Sequence, residues 1–404
     1  SSGSSVFGSS KKYNTTWSVG LGWNLHKEKF IMNNFNWINL LKLRASIGNP
    51  GNQNYDSAQT LLTYVFQYGS MNYFGLGAIL NQVGNPDLKW QKTLDKNIGL
   101  DLTLLNNRLN VNLDYYDKLT DPLLAAVSVP SSVGSKRVMT NVGSQRTQGV
   151  SGTVKYSPVY HPEERINWTL SASFKHQKAK YEDIGNSLDQ FNKENLNTSL
   201  VRYYDGGSPT ALWAVRSLGI NPSDGRELFL TKEGTYTFEY DTEDEVVVGN
   251  SEPKLEGVLG STLYWKGFSF SLYFRYSLGA DVFTEATYNK VENISLAGLK
   301  SNQDKRALHD RWQKPGDHAK FKGISLTETT PISSRFVLRE NYIKAESISI
   351  GYDFESQAVQ KLGIQSLRLQ ANTTDLFRIS SIKEERGIEY PFARSFSFSL
   401  SAMF

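Results

Sequence analysis

Apolar and polar residues alternate with a period of two in about eleven stretches of this chain, and the last is the clearest. Over Ser395–Phe404, Phe396, Phe398, Leu400, Ala402 and Phe404 share one parity, while Ser395, Ser397, Ser399 and Ser401 share the other. A β-strand turns successive side chains to opposite faces, so this segment predicts a strand with one greasy face and one wet face. The same pattern predicts strands over Tyr13–Leu25, Asn39–Ile47, Asn97–Leu104, Leu109–Tyr115, Val150–Tyr156 and Ile166–Phe174. It does so again over Leu255–Trp265, Phe268–Tyr276, Ala345–Phe354 and Leu367–Asn372. Ser356–Gly363 reads as a turn of helix.

The connections between these strands alternate in length. Asn106-Asn107 predicts a tight hairpin, a turn holding Pro158 and Pro162 joins the next pair, and Lys266-Gly267 joins another. Between them lie the long stretches Gly48–Lys89, Leu119–Gln145, Gln177–Glu252 and Gly279–Glu340. A soluble sandwich has no reason to gather its short turns at one end and its long loops at the other, whereas a transmembrane β-barrel of the outer-membrane type does; a soluble β-solenoid or sandwich array is the alternative. The expected fold class is therefore all-β, an antiparallel transmembrane barrel. An odd strand count puts the two ends of the sequence on opposite sides of the membrane, although a single-chain barrel has an even number of strands. An open edge in lipid would leave backbone groups unsatisfied. The expectation is that residues 1–404 are one unit, the C-terminal part of a longer barrel whose first strands precede Ser1. The opening Ser-Ser-Gly-Ser-Ser, which is no basic-then-apolar leader, agrees with that.

Composition narrows the chemistry. Lys+Arg 44 against Asp+Glu 40 gives little net charge for the size, which argues against a dedicated nucleic-acid binder. The absence of cysteine removes disulfides, Cys-ligated metals and thiol nucleophiles. No stretch approaches the about 20 apolar residues of a spanning helix, while barrel strands need only about 10 of alternating character. His26, His161, His176, His309 and His318 show no metal-ligand spacing, and Gly75-Leu76-Gly77 lacks a third glycine. The acidic run Asp241–Glu245 lacks the ligand order of a calcium loop and reads as a solvated face. No catalytic residue, metal or cofactor is expected. Tyr64, Phe66, Tyr68, Tyr73, Phe74, Tyr203, Tyr204, Trp213 and Trp312 fall in the long loops and are candidates for substrate contact by stacking; the plainer alternative is that they pack the loops together or meet a partner. Trp23, Trp90, Trp168 and Trp265 read as anchors at the membrane boundary.

Particular wording then adds to the pattern. Asn85-Pro86-Asp87-Leu88-Lys89-Trp90, Asn97-Ile98-Gly99-Leu100-Asp101, Asn107-Arg108-Leu109 and Asp114-Tyr115-Tyr116 resemble the barrel of the SusC-like (RagA-like) TonB-dependent transporters of Bacteroidetes. Leu41–Ser46 with Gly48, Ser217–Pro222 with Gly225, Ser334-Arg335-Phe336 with Tyr342-Ile343, Ile350-Gly351-Tyr352 and Tyr390-Pro391 before Arg394 are similar to the same family. The resemblance implies a barrel of roughly 22 strands with a plugged lumen, of which this chain supplies about eleven. It implies uptake of oligosaccharide or oligopeptide, a SusD-like surface lipoprotein as partner, and coupling to the TonB complex through a segment outside this sequence. A passive porin or an adhesive barrel is the alternative. Phe396, Phe398, Leu400 and Phe404 resemble the C-terminal signature by which outer-membrane barrels are inserted. Deleting Phe404 should lower the amount of assembled barrel in the membrane fraction, with transport per inserted molecule unchanged; normal assembly would place the signal elsewhere.

Overall fold

The computed structural model describes residues 2–3, 13–50, 61–73, 75–354, 363–383 and 394–404. Its backbone is one antiparallel meander in which each long strand pairs with its neighbours in sequence. The strands are β1 (Trp17–Asn24), β2 (Ile38–Asn49), β3 (Lys92–Leu104), β4 (Leu109–Asp121), β5 (Ser144–His161) and β6 (Ile166–Glu182). They continue as β7 (Leu255–Trp265), β8 (Phe268–Phe283), β9 (Val337–Phe354), β10 (Ser366–Thr374) and β11 (Phe396–Met403). A short strand, Arg378–Ser380, extends the pairing along β9 beyond the end of β10. β1 and β11 lie at opposite edges of this sheet and do not pair with each other.

Register carries the alternation from strand to strand. Leu21, Ala45, Ile98, Tyr115 and Val150 lie opposite one another in one row. Trp168, Leu263, Phe270, Ile350, Ala371 and Phe398 form another. Among the described residues nothing covers this face: Leu21 is 77% exposed, Ile98 62%, Ile350 53% and Phe398 78%. A soluble sheet buries its apolar side, so a continuous uncovered apolar face marks the side that meets lipid. Arg44, Gly99, Asp114, Ser151, Lys175 and Glu256 share a row on the opposite face. There Arg44 bonds Asp101 at 2.8 Å and Asp114 at 3.2 Å, Lys175 bonds Glu256 at 3.1 Å, and Arg275 bonds Glu346 at 2.6 Å. Gly99 makes room for the first of these, because a Cβ there would sit 2.7 Å from the Arg44 guanidinium and 2.6 Å from Asp114 Oδ1.

Short turns gather at one end. Lys266 and Gly267, both at positive φ, join β7 to β8 in the left-handed geometry that favours two-residue hairpins. Leu105, Asn106 and Asn107, also at positive φ, join β3 to β4. Aromatic rings crowd the same end, with Trp265 6.2 Å from Phe268 and Phe268 4.5 Å from Tyr352 between centroids. Trp23, Trp168 and Trp265 are exposed on the wall as boundary anchors require. Trp90 is not such an anchor. It lies just before β3, is 3% exposed, and packs with Leu88 against Leu124 and Met139 of the next loop.

The wall strands follow the expected order but run further than the alternation suggests. β5 begins at Ser144 rather than Val150, β6 reaches Glu182 rather than Phe174, and β9 begins at Val337 rather than Ala345. Beyond the lipid band both faces turn polar, as in Gln145-Arg146-Thr147-Gln148, so the hydropathy signal ends while the backbone ladder continues. Pro158 sits inside β5 rather than in a turn. The register shifts between Tyr156 and Val159 there, and such a bulge accommodates a residue with no amide hydrogen. The helical turn expected over Ser356–Gly363 falls largely outside the described residues.

Candidate functional site: the loops above the wall

The fully buried side chains of the molecule lie mostly in the loops at the end away from the short turns. The β6–β7 loop holds helix α1 (Asp189–Glu194) and a four-stranded sheet made of Ala211–Ile220, Glu227–Leu230, Tyr236–Thr237 and Glu245–Asn250. Ala211, Leu212, Ala214 and Val215 are buried on both faces of their strand, so their sequence shows a continuous apolar run instead of alternation. That run is why the loop shows little period-two alternation. Leu200, Leu212 and Ala214 pack with Ile332 of the β8–β9 loop, and Phe283, Tyr288 and Val337 close around them.

An ionic cluster inside this contact ties the two loops together. Arg335, from the β8–β9 loop, donates to Glu227 of the β6–β7 loop at 2.9 Å and to Glu292 of its own loop at 3.0 Å. Ser333 donates to Glu227 at 2.6 Å and Thr330 to Glu292 at 3.0 Å, which satisfies the carboxylates further. Burial pulls the Arg335 pKa down, but the hydrogen bonds it donates to Glu292 and Glu227 outweigh that and hold the group above its ordinary value. A second pair, Arg202 and Glu245, makes two bonds of 2.9 and 2.8 Å with Arg202 1% exposed. For Glu245, burial outweighs the Arg202 contacts and raises its pKa. The acidic run of the sequence is therefore already engaged. Asp241 accepts from the Glu243 amide at 2.8 Å, Asp244 from the Lys232 amide at 2.9 Å, and Glu245 is held by Arg202.

The aromatic candidates separate into groups. Tyr204 and Trp213 meet at 5.3 Å and line an open cavity of about 1330 Å³ in the β6–β7 loop, with Asn192, Lys193, Lys232 and Glu243 on its walls. Tyr203 turns the other way, 5.4 Å from Tyr181 and 5.5 Å from Phe191. Trp312 donates from its indole to Pro222 O at 2.9 Å, joining its loop to the neighbouring one. Tyr64, Phe66 and Tyr68 lie on a separate hairpin, Thr63–Asn72 with Gly75–Gln82, where Tyr64 and Phe66 are more than half exposed. Tyr73 stands at its tip; the side chain of Tyr68 and the whole of Phe74 lie outside the described set. The buried arginines and carboxylates that fix the loops carry no periodic signature and are invisible to sequence patterning.

An antiparallel meander with an uncovered apolar face, an ion-paired polar face, short turns at one end and folded loops at the other defines an outer-membrane β-barrel wall. Comparison with known proteins agrees. Residues 1–279 match the family model described as TonB dependent receptor-like, beta-barrel. The chain is 27% identical over 431 residues to TonB-dependent receptor P39 of Formosa agariphila, covering 94% of this chain and 40% of that protein. It is 26% identical over 431 residues to TonB-dependent receptor SusC of Bacteroides thetaiotaomicron, covering 100% of this chain and 41% of that one. Among solved structures, the RagAB peptide transporter superposes with a TM-score of 0.77 at 22% identity, over 94% of this chain and 41% of that chain. This chain belongs to the TonB-dependent receptor β-barrel family, is an outer-membrane protein, and is similar to SusC in sequence and to the RagAB transporter in fold. It spans about two fifths of the length of the relatives it matches.

Replacing Arg335 with Met should leave Glu227 and Glu292 buried without a counter-charge. The loop assembly is expected to lose about 3–5 kcal/mol, seen as faster amide hydrogen exchange across 211–230 and 287–336 with β7 and β8 still protected. Unchanged exchange in the loops would show that the cluster is dispensable.

Proposed function

We propose that this chain forms the C-terminal part of a TonB-dependent transporter barrel that imports a nutrient oligomer, oligosaccharide or oligopeptide, across the outer membrane. The observation that carries the reading is the pairing of an uncovered apolar face with an ion-paired polar face in a family of TonB-dependent receptors. Strands outside this sequence complete the wall, since β1 and β11 each leave an open edge that lipid cannot satisfy. The chain performs no covalent chemistry. Tyr204 and Trp213, set in a cavity with mixed charges, serve as contacts for a polar cargo. Phe396, Phe398 and Leu400 on the last strand, with Phe404 just beyond it, serve barrel insertion.

Active import separates this reading from a passive pore. In cells carrying the full-length protein, collapsing the proton gradient should abolish uptake of labelled oligomer, because TonB coupling draws on that gradient; uptake that persists would establish a passive barrel.

The folded loops support a SusD-like lipoprotein as the partner that delivers cargo. Detergent-solubilised full-length protein should bring this lipoprotein down, and replacing residues 186–250 with a short glycine-serine linker should lose it. Undiminished recovery would move the contact to other loops.

A further inference from the structure

A second cavity, of about 410 Å³, lies where the β4–β5 loop, helix α1 and the top of the wall meet. Two of its lining residues, Gln145 and Tyr181, belong to the register row Thr93, Thr120, Gln145 and Tyr181. That row has the parity of the polar face, opposite to Ile98, Tyr115 and Val150, so the cavity lies on the polar side of the wall, at the loop end of the strands. Its walls are nonetheless apolar. Leu123, Ala125, Val142, Leu188 and Phe191 line it together with the rings of Tyr181 and Tyr203. Asn192 fixes that geometry: its side-chain amide donates to Tyr203 O at 2.9 Å and its carbonyl oxygen accepts from the Tyr203 amide at 2.9 Å.

Such a space is out of keeping with its surroundings. The polar face below it is built from Arg44, Asp101, Asp114, Lys175 and Glu256, all ion-paired. Loop interiors pack densely, and an apolar void of about 150 Å³ already admits benzene, so an apolar hollow of this size on a passage for cargo is a socket for an apolar group. Sugar hydroxyls placed against Leu and Val would go unpaired, at a cost a leucine or phenylalanine side chain does not incur. We infer that this pocket on the polar side of the wall binds a large apolar side chain of a peptide cargo, which makes oligopeptides the substrate class. The inference rests on the import reading and deepens it.

The test uses the full-length transporter with its partner lipoprotein, titrated with short synthetic peptides that differ only in carrying leucine or glutamine at one position, and with a malto-oligosaccharide. The leucine peptide should bind tighter by on the order of tenfold to a hundredfold, as expected for burial of one such side chain. Ala125→Phe, which fills the pocket, should remove most of that difference, and Leu188→Ala, which enlarges it, should shift the preference toward tryptophan. Equal affinity for the two peptides with no response to either variant would overturn the pocket while peptide import stood. Binding and import of the oligosaccharide in place of peptides would overturn the substrate class and leave import intact. Import of neither would remove the import reading and this inference with it.

Discussion

Satisfying the backbone in hydrocarbon is the constraint on which the rest of the structure depends. Each amide and carbonyl left unpaired in lipid costs several kcal/mol, so a spanning strand must be bonded on both sides along its whole length. Neighbour-to-neighbour pairing meets that demand for β2 to β10 with the simplest possible order. Once it is met, side chains need only choose a face, and the outer one is filled by residues such as Leu21, Ile98 and Phe398 that would be a liability in water. Because the lipid side takes up the hydrophobic residues, the wall has no interior core of its own.

The core has moved to the loops. Leu212, Ala214, Val215, Val291 and Phe336 are the buried residues a soluble domain would show, and they belong to two connections far apart in sequence. Buried ion pairs seldom add stability over apolar packing, but they punish any arrangement that separates them. Glu227 with Arg335 therefore acts chiefly as a register pin, specifying how one loop sits on the other. The aromatic pair Tyr204 and Trp213 rests on a base held this way, so the fold sets its spacing.

What the sequence made legible follows from this division. In the wall, each face meets one solvent over most of its length, and period two is visible in β11 and β8 without further information. Strand ends were obscured where both faces turn polar, as at Gln145–Gln148. Inside the loops, strands buried on both sides lose their alternation, which hid Ala211–Ile220, and Trp90 was misplaced because a tryptophan beside a strand looks the same whether it meets lipid or a neighbouring loop. Tyr204 and Trp213 could be nominated by type and location, but that they share a cavity while Tyr203 turns to Tyr181 depends on contacts between distant segments. The short wording around Ser334-Arg335-Phe336 pointed to the family, without indicating that Arg335 is the residue joining two loops.

The mutual burial of Glu227, Glu292 and Arg335 also bears on how such a receptor can diversify. A surface loop anchored only at its two ends can be exchanged freely, since its replacement has to match nothing but the distance between strands. Here the β6–β7 connection supplies Glu227, while the β8–β9 connection supplies Arg335 and Glu292. Exchanging the β8–β9 connection alone for one without this arginine would strand Glu227 in a dry interior, so the two connections are constrained to change together. Variation above β6 to β9 is then confined to the outer surface of these two connections or requires exchanging both together.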